Sequence, residues 1–158
     1  MPERSLRYLL VAVVLLLGSA CSEEQPWRTK DVSGLMPELE FELVRAGDGR
    51  TVTEETWADR VRVVYFGFTH CPDVCPTMLA KFSQVIDGMP PTKAEDVRVL
   101  FVSVDPKRDT RERLHNYASA FGDRFVGLRR DEISYLRELT KRYRVTFGYG
   151  EPDESGYY

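Results

Sequence analysis

Cys71 and Cys75 are the residues of this 158-residue sequence whose type and spacing are best suited to chemistry. Three residues separate them, and each is followed by a proline, Pro72 and Pro76. Pro76 suits the first position of a helix, so Cys75 is expected at or just before a helix start, where unpaired backbone N–H groups and the helix dipole favour negative charge. A thiol there is more acidic than a free thiol, and its thiolate is both a nucleophile and a soft metal ligand.

Three interpretations of the pair follow from this chemistry. Two thiolates can bind Cu(I), which accepts soft ligands and low coordination numbers. Alternatively, one thiolate attacks a disulfide of a partner and the other resolves the mixed disulfide. The third interpretation is a static structural disulfide in an exported protein. The helix-start position and the flanking prolines favour a functional pair, but the spacing alone does not separate copper binding from redox chemistry.

A strand before the pair and a helix after it must position the two thiols. The stretch Val61 to Phe68 is apolar almost throughout, which predicts a central strand covered on both faces. The stretch Thr77 to Asp87 predicts an amphipathic helix, because its apolar residues recur at helical spacing: Met78, Leu79, Phe82, Val85 and Ile86. Met78 is interpreted as a core residue and not as a ligand.

The remaining elements predict an α/β sheet with right-handed crossovers. Helices are predicted after Asp109 or Thr110, either of which can cap a helix, and from Asp131 onward. Partial alternation in the first segment and apolar runs in the others predict further strands at Leu35–Val44, Thr51–Thr53, Val97–Val104, Phe125–Leu128 and Val145–Tyr149.

Two blocks of the sequence resemble the Sco/SenC family, the thioredoxin-like copper chaperones of cytochrome oxidase assembly. The first runs from Gly67 to Pro76 (GFTHCPDVCP) and the second from Ser103 to Thr110 (SVDPKRDT). The resemblance extends from about Leu35 to the end of the chain. It implies a thioredoxin-like α/β fold with an N-terminal β-hairpin. It also implies that Cys71 and Cys75 bind copper, with thiol–disulfide exchange as a linked second role.

By the same resemblance, the function is copper delivery to the binuclear copper centre of cytochrome c oxidase. The implied partners are the copper subunit of the oxidase and a thiol–disulfide reductant, since copper loading needs reduced thiols. Asp73 is expected to hold a negative charge near the site, or simply to form the turn. Asp105 follows a strand at the same sheet end as the thiols, and is expected either to orient the thiol loop or to cap the next helix.

In the Sco family, the loop matched by Gly150 to Tyr158 leads into a segment with a histidine that completes the copper site. We therefore expect a C-terminally incomplete domain, residues 34–158, that lacks the final strand and helix and the third, histidine ligand. Two thiolates alone favour Cu(I). Neither His70 nor His115 is expected to replace the missing ligand. Two alternatives are a membrane-tethered thiol–disulfide oxidoreductase and a non-functional fragment of a Sco protein.

The N-terminal residues predict export. Residues 1–20 combine Arg4 and Arg7 with an apolar run, Tyr8 to Leu17, that is too short to span a membrane but normal for a signal peptide. Small residues then lead to Cys21, which resembles a lipoprotein signal with its leucine one place early. We expect a lipid on Cys21, a tether over residues 21–33 and membrane anchoring on the periplasmic, extracytoplasmic face. A plain signal peptide or an uncleaved anchor is the alternative.

Composition bounds the remaining function classes. The length suits one domain of ordinary size, and 42% hydrophobic with 30% charged residues fits a globular domain. The formal net charge is −3, which gives no electrostatic reason to expect nucleic-acid binding.

Overall fold

The computed structural model describes residues 34–150, so the predicted signal segment, Cys21, the tether and residues 151–158 lie outside the described part. Strands alternate with helices, as the sequence predicts. In chain order the elements are β1 (Glu42–Arg45), β2 (Thr51–Thr53), a 3-10 helix (Glu54–Trp57), β3 (Val61–Gly67), α1 (Val74–Asp87), α2 (Pro91–Glu95), β4 (Val97–Ser103), α3 (Arg111–Ser119), β5 (Phe125–Arg129) and α4 (Ile133–Arg142). None of the helices within residues 34–150 is long and apolar enough to cross a membrane.

The strands form one sheet in the order β2-β1-β5-β4-β3. The predicted hairpin is present, since β1 pairs antiparallel with β2 and also with β5. Strands β3, β4 and β5 are parallel, and Gly67 at the end of β3 lies opposite Ser103 at the end of β4. This register brings the loop after β3, which carries Cys71, beside the turn after β4.

Strand β5 holds the middle position, β4 lies between β5 and β3, and the prediction that β3 is central is wrong for the described sheet. Within residues 34–150, β3 pairs with β4 alone and forms an edge. Most of its residues are half-buried, and Val61 at its start is 60% exposed. An apolar run reports that the faces of a strand are covered, but it carries no information about lateral neighbours.

The sheet separates two hydrophobic clusters, because successive side chains of β4 point to opposite faces. Val99 and Phe101 face the cluster formed with α1 and α3, while Leu100 and Val102 face the cluster formed with α4 and the 3-10 helix. All four are at most 1% exposed. Burying each such side chain contributes about 1.5–3 kcal/mol, so these clusters hold the helices on the sheet.

Several element boundaries differ from the predictions. The first predicted strand is shorter, because only its last part pairs with β2 and β5. The stretch Val145–Tyr149 is irregular, although the Tyr149 hydroxyl donates a hydrogen bond to the backbone oxygen of Val104 at 2.6 Å. Helix α4 follows Glu132 and not Asp131. For the two strand segments, the apolar pattern is not sufficient, because a strand forms only where it pairs with distant residues.

Helix α1 begins at Val74, three residues before the predicted Thr77. Its buried residues are Cys75, Leu79 and Ile86, whereas Val85 is 59% exposed. Cys75 therefore starts the apolar face of this helix. A cysteine in the first turn behaves here as a small core residue and is spaced like the leucine and isoleucine that follow.

Candidate dithiol metal centre

Cys71 lies in the loop between β3 and α1, and Cys75 is the second residue of α1. The helix follows Asp73, whose backbone oxygen accepts a hydrogen bond from the Thr77 N–H at 3.1 Å. Pro76 is therefore the third helical residue, whereas the sequence predicts it as the first. A proline is still tolerated there, because the N–H groups of the first helical turn have no partner within the helix.

The two thiols are free and in contact with each other. The Cys75 N–H donates to Cys71 Sγ at 3.3 Å. Burial raises the pKa of the Cys71 thiol, but hydrogen bonds from the Cys75 thiol and from three backbone N–H groups outweigh it, so the net pKa of Cys71 is lowered. The N–H groups belong to Asp73, Val74 and Cys75, at the start of α1.

The expectation that the helix start acidifies Cys75 is wrong. Burial, followed by the hydrogen bond that the Cys75 thiol donates to Cys71, raises the pKa of Cys75 to about 11. The Cys75 side chain points into the core and the residue is 5% exposed, so its thiolate would lose hydration. The unpaired N–H groups of the helix start instead point at Cys71, which precedes the helix by three residues.

Aromatic side chains and one glycine enclose Cys75. The Tyr65 hydroxyl hydrogen-bonds Cys75, and the Tyr65 ring stacks on Phe101 at 6.1 Å between ring centres. Burial and the neighbouring Cys75 raise the pKa of Tyr65 to about 12. A Cβ added at Gly67 would lie 2.7 Å from Phe101 Cε2 and 3.0 Å from Cys75 Sγ. The sulfur therefore occupies space that only a glycine leaves open.

A hydrogen-bonded carboxylate joins the thiol loop to the end of β4. Asp109 accepts hydrogen bonds from the Thr69 hydroxyl at 2.6 Å and from the Ser103 hydroxyl at 2.6 Å. The Thr69 N–H donates to both carboxylate oxygens, at 3.1 and 3.2 Å. Asp109 is not the helix cap, because the Thr110 hydroxyl accepts the Arg113 N–H in that role.

The two carboxylates expected to support the site lie elsewhere. Asp105 is buried and pairs with Arg108, whose guanidinium lies 5.8 Å from the centre of the Phe68 ring. Asp73 is exposed, and its carboxylate accepts a hydrogen bond from the Thr77 hydroxyl at 3.4 Å. Neither carboxylate hydrogen-bonds a thiol within the described residues, so their expected support of the site remains an untested prediction.

Neither histidine approaches the thiols as a third ligand in the part of the chain that the structure describes. Arg113 can only donate, so its hydrogen bond to His70 Nε2 uses that nitrogen's lone pair, and His70 Nδ1 lies 3.6 Å from Asp109 Oδ1. His115 is exposed and lies against Gly47. Across residues 34–150, no three His, Cys, Asp or Glu side chains form a group that could hold a metal ion.

Two soft thiols in contact fit Cu(I), which two sulfurs can hold, better than Cu(II). Residue type and spacing predict both sulfurs, but they do not predict the groups around them: Tyr65, Gly67 and Asp109. Gly67 at the end of an apolar strand was a usable signal, since an isolated glycine in a strand often marks a close approach. Asp109 was considered only as a helix cap. The contact with Thr69 links positions 40 residues apart.

The fold and the site together define a thioredoxin-like α/β domain with a dithiol at the start of a helix. A family model described as SCO1/SenC matches residues 35–158. The chain belongs to the SCO1/SenC family. The human protein named "Protein SCO1 homolog, mitochondrial" is 40% identical over 109 residues, which are 67% of this chain. The chain spans about a third of the length of the first curated relatives it matches, 34% and 35%.

Solved structures agree with this assignment. The crystal structure of Arabidopsis thaliana ScoI with copper bound is 37% identical, with a TM-score of 0.68 over 75% of this chain and 72% of that one. A second structure is described as showing a disulfide switch in BsSco, a member of the Sco family of cytochrome c oxidase assembly proteins. It is 27% identical, with a TM-score of 0.57 over 71% of this chain and 66% of that one.

Proposed function

We propose that this protein is a copper-binding chaperone that delivers copper to the binuclear copper centre of cytochrome c oxidase. The observation that carries the proposal is the contact between two free thiols at a helix start, in a chain of the SCO1/SenC family. A relative of known structure binds copper, and another is described as a member of a family of oxidase assembly proteins. Copper is therefore the cargo of this site.

Cys71 and Cys75 are the proposed ligands of Cu(I). Cys71 is half-exposed and its pKa is lowered, so it gives up its proton to the incoming ion more readily than Cys75, whose pKa is raised. Delivery is an exchange of ligands: sulfurs of the acceptor approach from the side of Cys71 and replace it first. The oxidation state of the ion does not change in this transfer.

Thiol–disulfide exchange is the linked second role. The Cys71 thiolate attacks a disulfide of the partner, whose S–S bond breaks to release one partner thiolate and leave a mixed disulfide. The Cys75 thiolate then attacks Cys71 Sγ and releases the second partner thiolate. The pair loses two electrons and two protons, and the partner gains both. The lowered pKa of Cys71 favours it as the attacking sulfur, and a reductant must restore the pair before copper loading.

The proposed location is the extracytoplasmic side of a membrane. Residues 1–20 act as a signal peptide, Cys21 carries the lipid and residues 21–33 tether the domain, residues 34–158. This part rests on the apolar run and on the small residues before Cys21. Metabolic labelling with a radioactive fatty acid tests it, because the label should be lost in Cys21→Ser.

Competition with a chromophoric Cu(I) chelator tests copper binding. We expect one Cu(I) per protein and an affinity loss of at least about 100-fold in Cys71→Ser and in Cys75→Ser, since even an outer-shell partner is worth 10–100-fold. Cys21→Ser is the control and should bind normally. Equal affinity in all variants would contradict the proposal. Disulfide turnover without copper affinity would instead support the oxidoreductase alternative.

A further inference from the structure

Asp109 is a buried carboxylate on the turn after β4, and its hydrogen bonds reach the thiol loop. Its side chain is 0% exposed. It accepts two bonds from Thr69, through the hydroxyl and the backbone N–H, and one from the Ser103 hydroxyl. Thr69 lies two residues before Cys71, whereas Ser103 ends β4. The carboxylate thus ties the loop to the most buried part of the sheet.

The arrangement favours an acceptor that carries no donor of its own. The hydrogen bonds to the Asp109 side chain come from one backbone N–H and two hydroxyls, and an amide in its place could keep all of them only if a hydroxyl turned round to accept. Burying a carboxylate is costly, and among residues 34–150 the one basic side chain found within 4 Å of Asp109 is His70, which is 32% exposed and whose Nε2 accepts a hydrogen bond from Arg113. A helix cap would not explain this cost, because Thr110 provides the cap.

Asp105 provides a natural comparison on the same turn. It is equally buried, at 1% exposed, and its carboxylate pairs with Arg108. Asp105 reaches the thiol loop through the Arg108 guanidinium, which lies over the Phe68 ring, whereas Asp109 bonds the loop backbone directly. Both residues are therefore buried aspartates on the same turn, but only Asp109 is bonded directly to the thiol loop.

We infer that Asp109 is a positioning residue for the dithiol. By fixing Thr69, it keeps the next turn of the loop in place, so that Cys71 Sγ stays at the Cys75 N–H and in contact with the second sulfur. The consequence is a high effective concentration of one thiol at the other, which both proposed roles of the pair require. The inference rests on the proposed function, but it concerns the geometry of the thiols.

The equilibrium of the full chain with reduced and oxidised glutathione measures this effective concentration. We expect Asp109→Asn to lower it about tenfold or more, because a hydrogen bond to a charged group is worth about one to two powers of ten in an equilibrium constant. Asp105→Asn should lower it less than about threefold. The melting temperature of each variant reports its stability separately. A similar loss in both variants would overturn the inference.

Variants at Thr69 keep the inference testable if Asp109→Asn does not fold. Thr69→Val removes the hydroxyl donor and should lower the effective concentration of the thiols severalfold. Thr69→Ser keeps the donor, so its effective concentration should equal that of the native protein. Equal values for valine and serine would overturn the inference. The glutathione equilibrium needs no copper, so a protein that fails to bind Cu(I) but shows these shifts refutes the proposed function alone.

Discussion

Cys71 lies in the loop before α1, and Cys75 lies in the first turn of α1. The two residues are four positions apart and carry the same functional group. Polar groups surround Cys71, which is half-exposed and accepts N–H groups of the helix start. Core residues surround Cys75, which faces the rings of Tyr65 and Phe101 across Gly67. The pKa shifts of the two thiols therefore have opposite signs.

This difference shows how one short motif produces two kinds of sulfur. The hydrogen bond from the Cys75 thiol and those from the backbone N–H groups stabilise the charged form of Cys71, while burial penalises the charged form of Cys75. The proposed metal binding and disulfide exchange would therefore both begin at Cys71, the more acidic of the two thiols. Both environments depend on strands β3 and β4, because Gly67 lies opposite Ser103 and leads into the loop.

The largest expected effect comes from filling the space beside Cys75. Gly67→Ala would place a Cβ 2.7 Å from Phe101 Cε2 and 3.0 Å from Cys75 Sγ, so ring and sulfur must move. We expect a loss of about 1–3 kcal/mol in the free energy of unfolding, measured by urea titration. Displacement should also expose Cys75 and remove its protection from alkylation, which would make the two thiols more alike.

Gly88→Ala is the matched control for this substitution. The backbone of Gly88 is in the right-handed helical region, and an added Cβ there would approach no closer than 3.4 Å to the Gln84 oxygen. We expect a change of less than about 0.5 kcal/mol. A similar loss in both variants would mean that the space at Gly67 is not a specific requirement of the thiol site.

An intermediate effect is expected in the pH dependence of alkylation. Only thiolates react, so the iodoacetamide rate at Cys71 should reach half its maximum below pH 9.0, while the rate at Cys75 should rise only near pH 11. At pH 8, about one Cys75 in a thousand is ionised. Peptide mass spectrometry after short exposures gives both rates, and faster labelling of Cys75 would reverse the comparison.

Cys75→Ala sharpens this measurement, because a serine hydroxyl in its place would still donate a hydrogen bond to Cys71. The variant keeps the backbone N–H groups around Cys71 but removes the thiol that hydrogen-bonds to it. The pH at half-maximal rate should therefore move upward toward that of a free thiol without reaching it. An unchanged value would mean that the backbone alone determines the reactivity of Cys71.

The smallest expected effect concerns the hydroxyl of Tyr65. Tyr65→Phe keeps the ring on Phe101 but removes the hydrogen bond that lowers the pKa of Cys75. Alkylation of Cys75 above pH 9 should slow about threefold to tenfold, the range expected for one hydrogen bond. The rate at Cys71 should change less.

Tyr117→Phe is the control for the loss of a phenol. The Tyr117 ring also packs on Phe101, at 5.4 Å between centres, but its buried hydroxyl has no hydrogen-bond partner in the described part of the chain. Removing the hydroxyl should leave the stability of the protein unchanged or slightly higher, and it should not slow the alkylation of Cys75. If both variants slowed the alkylation of Cys75, the effect would come from the packing of the rings and not from the Tyr65 hydroxyl.

Local patterns predicted most of the fold. Apolar runs located β3, β4 and β5, and apolar residues at helical spacing located α1. Periodicity could not order the strands, so β3 was predicted at the centre. It also could not show that Val145–Tyr149 is irregular, since strand pairing needs a partner at the right register.

The site was predicted in its reactive atoms and not in its surroundings. Both thiols were identified from residue type and spacing, and the Gly67–Pro76 block indicated the family. The assignment of acidity to Cys75 was wrong, because the shift depends on burial against Tyr65 and Phe101. A helix start makes a thiol acidic only if its unpaired N–H groups point at the sulfur, and here they point at Cys71.

The sequence by itself determined which groups are reactive, how far apart they are along the chain and which family shares their pattern. These properties belong to residue types and to short-range geometry. The tertiary structure decided which thiol is acidic, which glycine makes room for sulfur and which carboxylate holds the loop. Those outcomes arise where the parallel ends of β3 and β4 meet, since burial and hydrogen bonds such as Thr69–Asp109 join residues that are distant in sequence.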